Sequence, residues 1–154
     1  MLTLEKRSGA LSVSDLRHAE ALREIPDGGR AAALGLLFLW HDHWEEAHAA
    51  AHEGEGRADY DLLHALVHRR EGDYGNSRYW LNETGRHPLF DRLGARVAPL
   101  LTGEEALRRK ILPEGKWDAE GFVAAVKARP KDPSLRAVQA EEFACFYEWL
   151  REPS

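Results

Sequence analysis

Apolar positions along the chain recur at helical spacing and are punctuated by glycine and proline. Leu16, Ala19, Leu22 and Ile25 follow a capping-box pair, Ser12 with Asp15, and stop at Pro26, which predicts a first helix over 12–25. After Gly28 and Gly29, the run from Arg30 to Glu53 is too apolar at its start and too charged at its end for one uniform amphipathic helix. A break is therefore predicted near Asp42. Gly54 and Gly56 end that pair, Gly72 and Asp73 end a helix beginning at about Asp59, and another runs from Gly75 to Gly85. Pro88 suits a first helical position, and Leu89, Leu93 and Val97 space a helix that Pro99 bends or ends. Thr102 with Glu105 forms a second predicted capping box, Asp118 caps a helix through Phe122 and Val126, and Asp132-Pro133 opens the last one, through Leu150. No segment alternates apolar and polar residues with β-branched enrichment, so the fold class is all-α in a single domain over 1–154.

A repeat lies in the middle. Shifting the chain by 30 residues sets Gly35 on Ala65, Leu36 on Leu66, Asp42 on Gly72, Trp44 on Tyr74 and Ala47 on Ser77, preserving size and polarity better than identity. This order of small residue, turn, aromatic and small residue resembles the tetratricopeptide and Sel1-like class over about two units, residues 30–88. The period is shorter, and His68 stands where an aromatic is usual. The resemblance implies stacked antiparallel helical hairpins. Residues 102–152, rich in bulky rings, are expected as C-terminal capping helices, and residues 1–11 as a flexible start. The block HRREGDYGNSRYW, His68 to Trp80, with the upstream WEEAH, also resembles part of an uncharacterised family of bacterial and fungal proteins; that likeness implies a structural unit and no activity.

Composition narrows the classes. With 44% hydrophobic and 31% charged residues, a core is within reach, and 26 acidic residues against 21 basic ones are interspersed. No concentrated basic face is evident, which argues against nucleic acid. The longest apolar stretch, Ala31 to Trp40, is about half of a membrane span. Cys145 is the single cysteine, so no internal disulfide forms, and a reducing, cytoplasmic location is expected. No glycine elbow carries a serine and no phosphate loop is present.

Seven of the eight histidines fall between His41 and His87. In the repeat register His64 and His68 take the places of Leu34 and Phe38, which are packing positions, so the rings need partners such as Asp42, His48, Asp61, Asp73 or Asn76. One reading makes these histidines hydrogen-bonded residues that fix how the hairpins stack. A second makes them a metal site: His64 and His68 share a helical face, His48 and His52 repeat that spacing, and two such pairs can converge on one divalent cation held by His48, His64 and His68. A third reading is recognition: Arg69 and Arg70, projecting beside Tyr60, Tyr79 and Trp80, would offer forked donors and flat apolar surface to a protein, a peptide or a small carboxylate-bearing ligand. On that reading the ligand-binding set is His48, His64, His68, Arg69, Arg70, Asp73, Asn76 and Trp80. A helical-repeat-like binding module is thus expected, with a metal-dependent hydrolase as the alternative. The pair His41-Asp42 is similar to the metal-binding pair of the His-Asp phosphohydrolases, and the likeness implies His18 and Asp91 as further ligands.

Overall fold

A computed structural model describes residues 9–153 of the chain. Residues 1–8, most of the stretch expected to be flexible, lie outside the described residues. Among those described, nine α-helices occur and no strand: α1 (Val13–Arg17), α2 (Asp27–Trp40), α3 (Trp44–His52), α4 (Ala58–Glu71), α5 (Tyr74–Thr84), α6 (Leu89–Val97), α7 (Glu105–Ile111), α8 (Ala119–Ala128) and α9 (Pro133–Arg151). Helices α2 and α3 form one hairpin and α4 and α5 the next, with α4 packed against both α2 and α3. The long α9 lies against α2 and α6, while α8 packs on α5 and α7.

The two hairpin turns have the same geometry. Asp42 and Gly72 both adopt left-handed backbone, with φ of 63° and 85°. In the first turn the His43 amide donates to Phe38 O at 2.8 Å and the Asp42 amide to Leu39 O at 3.0 Å; in the second, Asp73 donates to His68 O at 2.9 Å and Gly72 to Arg69 O at 3.2 Å. Each is a six-to-one bond enclosing a five-to-two bond, the Schellman arrangement that closes a helix through a left-handed residue. Every pair is related by 30 residues. The helix crossings match as well: at Gly35 a Cβ would lie 2.6 Å from Leu63 Cδ2 and 2.8 Å from Ala50 Cβ, so α2, α3 and α4 meet there through a missing side chain. At the corresponding crossing the buried Ser77 hydroxyl donates to Ala65 O at 2.7 Å.

Two predicted elements differ. The first helix is split into α1 and a 3₁₀ turn over Glu20–Glu24, with extended backbone at Ala19 between them. Leu16, Ala19, Leu22 and Ile25 are spaced by three, which is the 3₁₀ period rather than the 3.6 of an α-helix. The Ser12–Asp15 capping box is present in α1. The Thr102–Glu105 box does not form: α7 starts at Glu105 with Glu104 as its N-cap and no side-chain cap, and Thr102 instead follows a 3₁₀ turn over Ala98–Leu101, its Oγ1 donating to Pro99 O at 3.1 Å.

Helix α4 is the centre of the molecule. Every residue from Tyr60 to Arg70 is buried, charged ones included. A helix enclosed on all sides has no single apolar stripe, which explains why its pattern reads as weakly amphipathic. Its polar side chains must then find partners inside the protein, because a buried unpaired charge costs several kcal/mol.

Candidate metal site

The histidines of α3 and α4 meet. His48 and His52 lie one turn apart on α3, His64 and His68 one turn apart on α4, and the two faces are apposed. His48 Nε2 and His64 Nε2 are 2.8 Å apart, so one carries the hydrogen and the other accepts it. One ligand-capable nitrogen from each of His48, His64 and His68 lies within 4.8 Å of the others. Ring centroids are 4.5 Å apart for His48 and His64, 5.2 Å for His48 and His68, and 5.0 Å for His64 and His68. A tetrahedral zinc ion bound at about 2.0–2.1 Å would hold its nitrogens about 3.3 Å apart, within the span of these atoms.

The electrostatics favour neutral rings. Burial, reinforced by His48, His68 and His52, pushes the His64 imidazole down to about 3, and burial likewise lowers His48. Lone pairs for a cation therefore exist at neutral pH without proton loss from an imidazolium at these two positions. His64 Nδ1 is buried with no hydrogen-bond partner among the described residues. The Trp80 indole stacks on the same ring, 3.9 Å between centroids and 17° between planes, and fixes its orientation. His68 Nδ1 is bonded to Glu71 Oε2 at 2.9 Å, which leaves its Nε2 as the ligand atom. A carboxylate on the far nitrogen is the usual outer support of a metal-bound histidine: it sets the tautomer and raises basicity.

The other sequence candidates have different positions. Arg69 and Arg70 do not line a groove, because α4 is enclosed. Arg69 Nη1 and Nη2 donate to Glu142 of α9 at 2.9 and 2.5 Å, with Gln139 at 3.2 Å from Nη2, and its guanidinium lies 4.6 Å over the Phe122 ring. Arg70 pairs with Asp42 of the first hairpin turn, both side chains being buried. The two arginines thus pin α4 to α9 and to the α2–α3 turn. Asp73 caps α5, accepting from the Asn76 amide at 3.2 Å and from Asn76 Nδ2 at 2.9 Å. Of the side chains expected around the arginines, Tyr60 is buried with its hydroxyl donating to Gly28 O at 3.0 Å, and Tyr79 is exposed. The set read as a His-Asp pair is engaged elsewhere: His41 Nδ1 accepts from the Leu11 amide at 3.1 Å, His18 Nδ1 bonds Ser14 O at 2.8 Å, and exposed Asp91 faces Arg86 at 3.5 Å. Cys145 is buried in α9, and burial pushes its thiol up.

Outside the predicted set, Glu71, Glu55, Glu142 and Gln139 carry this arrangement. Glu71 and Glu55 were signalled by a doubled spacing, a glutamate three residues after a histidine in His52-x-x-Glu55 and in His68-x-x-Glu71. Glu142 and Gln139 lie 73 and 70 residues from Arg69, and no local pattern marks them.

Comparison with family models, with curated proteins and with solved structures finds no match to this chain. The geometry alone therefore bears the functional reading. No helix among the described residues is long and apolar enough to cross a membrane.

Proposed function

We propose that this chain is a helical-hairpin binding module whose ligand is a divalent transition-metal ion of the zinc class, held by His48, His64 and His68. The observation that carries the proposal is the convergence of three imidazole nitrogens from two helices within 4.8 Å, two of the rings being buried. Apolar side chains at His64 and His68 would contribute about 1.5–3 kcal/mol each by burial, so a polar cluster there is costly unless something binds it. All-imidazole donors suit zinc, copper or nickel, and disfavour magnesium and calcium, which take oxygen ligands. The equivalent turns at Asp42 and Gly72 support a wider reading of the two hairpins as a tetratricopeptide-like pair. Hydrolysis by a bound ion is not favoured by the His41-Asp42 pair, whose side chains are otherwise bonded.

The test is equilibrium dialysis of tag-free protein against zinc, read by elemental analysis and by thermal melting. One ion per chain is expected. Free zinc at 100 times Kd stabilises the folded state by about 2.7 kcal/mol. That raises Tm by about 5–11 °C for a chain of this size. His64→Phe should lose both the ion and the shift while remaining helical. A wild-type protein with far less than one zinc per chain and an unmoved Tm would remove the proposal.

A further inference from the structure

Resting on the zinc-class reading above, we infer that His52 closes the site as a fourth imidazole, making a four-nitrogen cage that holds an ion rather than a three-histidine site that leaves a position for water. The His52 ring centroid is 4.6 Å from that of His48 and 4.7 Å from that of His64, as near as the rings of His48, His64 and His68 are to one another. Around a tetrahedral ion bound through ring nitrogen, centroids sit about 3.2 Å from the metal and so about 5 Å from each other. His52 already stands at that distance from His48 and His64, and a turn of its side chain toward His68 would complete the cage.

The support behind His52 repeats that behind His68. His52 Nδ1 is bonded to Glu55 Oε2 at 2.9 Å, as His68 Nδ1 is to Glu71, and in each case the carboxylate comes three residues later. Nε2 is then the nitrogen that remains for an ion. Glu55 is held by the loop around it. Gly54 packs on the Tyr60 ring so closely that a Cβ would fall 2.2 Å from Cγ, and the Gly56 amide, at φ 90°, donates to Asp61 Oδ1 at 3.0 Å. The His52 side chain itself is half exposed, so a small rotation toward the cage displaces only water. A cation with four protein ligands has no open position, which suits storage, sensing or structural tying of α3 to α4 and not the activation of water.

Cobalt(II) titration of the tag-free full chain distinguishes the two layers. Wild type should give the intense visible absorption of four-coordinate cobalt at one equivalent. His52→Ala should still bind, at least tenfold more weakly, with the absorption bands shifting as water replaces the lost nitrogen and weakening where a second water makes the site five-coordinate; Glu55→Gln should weaken binding by about 10–100-fold. His52→Ala binding as tightly as wild type with the same spectrum would overturn the four-histidine cage and leave the three-histidine site standing. No cobalt binding by the folded wild type would overturn both. Far-UV circular dichroism confirms that each variant folds.

Discussion

Replacing Arg69 by Met tests whether the buried arginines hold the fold together. The Arg69 and Glu142 side chains are 4% and 6% exposed, and the guanidinium makes two bonds to one carboxylate. Removing the arginine leaves the buried Glu142 side chain without its partner, a loss of about 3–5 kcal/mol, to which the contact over Phe122 adds a fraction. Small domains are stable by about 5–15 kcal/mol, so one change removes a fifth or more of that reserve and lowers Tm by about 6–20 °C. Glu142→Leu should do similar damage by orphaning Arg69. The double change Arg69→Met with Glu142→Leu buries two apolar chains in place of the pair and should return to within about 1 kcal/mol of wild type, or exceed it. Urea unfolding followed by circular dichroism gives all three values at constant m. Either single variant within about 0.5 kcal/mol of wild type would refute the reasoning, as would a double variant as damaged as the sum of the singles.

Asp42→Gly sets two effects against each other: relief of left-handed strain stabilises by about 1–2 kcal/mol, and loss of the carboxylate from buried Arg70 costs about 3–5, so the midpoint in urea should fall. Gly35→Ala forces a methyl against Leu63 and Ala50 and should cost about 1–3 kcal/mol, read as a lower Tm; an unchanged Tm would mean that the crossing is looser than 2.6 Å implies. Asp59 supplies the pH dependence. Burial alone would raise its carboxyl, but the hydrogen bond and charge of His87 at 2.7 Å and the Trp149 indole at 2.9 Å outweigh that and hold it below the usual 3.8. A depressed folded-state value means the stabilisation is fully present above about pH 3.8 and is lost as the pH falls below it. Wild type should therefore lose more unfolding free energy than Asp59→Asn between about pH 5 and pH 2.5; parallel curves would contradict this.

The two hairpins were legible because their signals are local. The 30-residue match rests on turn and crossing residues whose conformations depend on near neighbours, so Asp42 and Gly72 could be paired by type and proved to share a left-handed turn. The apposition of His48 with His64 followed from helical spacing plus hairpin stacking. Arg69 and Arg70 were misplaced for a reason of the opposite kind. Whether an arginine on α4 faces water depends on what covers that face, and α9 arrives there from 70 residues away. The split first helix was written in its spacing of three, and a 3.6-residue template does not register it. Thr102 carried a valid capping pattern, but left-handed backbone at Gly103, φ 81°, separates it from α7, whose N-cap is Glu104.

The most direct measurement is X-ray absorption at the zinc edge on tag-free protein loaded with one equivalent. The histidine cage predicts a shell of nitrogens alone at about 2.0 Å, with the multiple scattering of several imidazole rings, and four such rings falling to three in His52→Ala. A first shell dominated by oxygen, a sulfur neighbour from Cys145, or a spectrum matching hydrated zinc would contradict it.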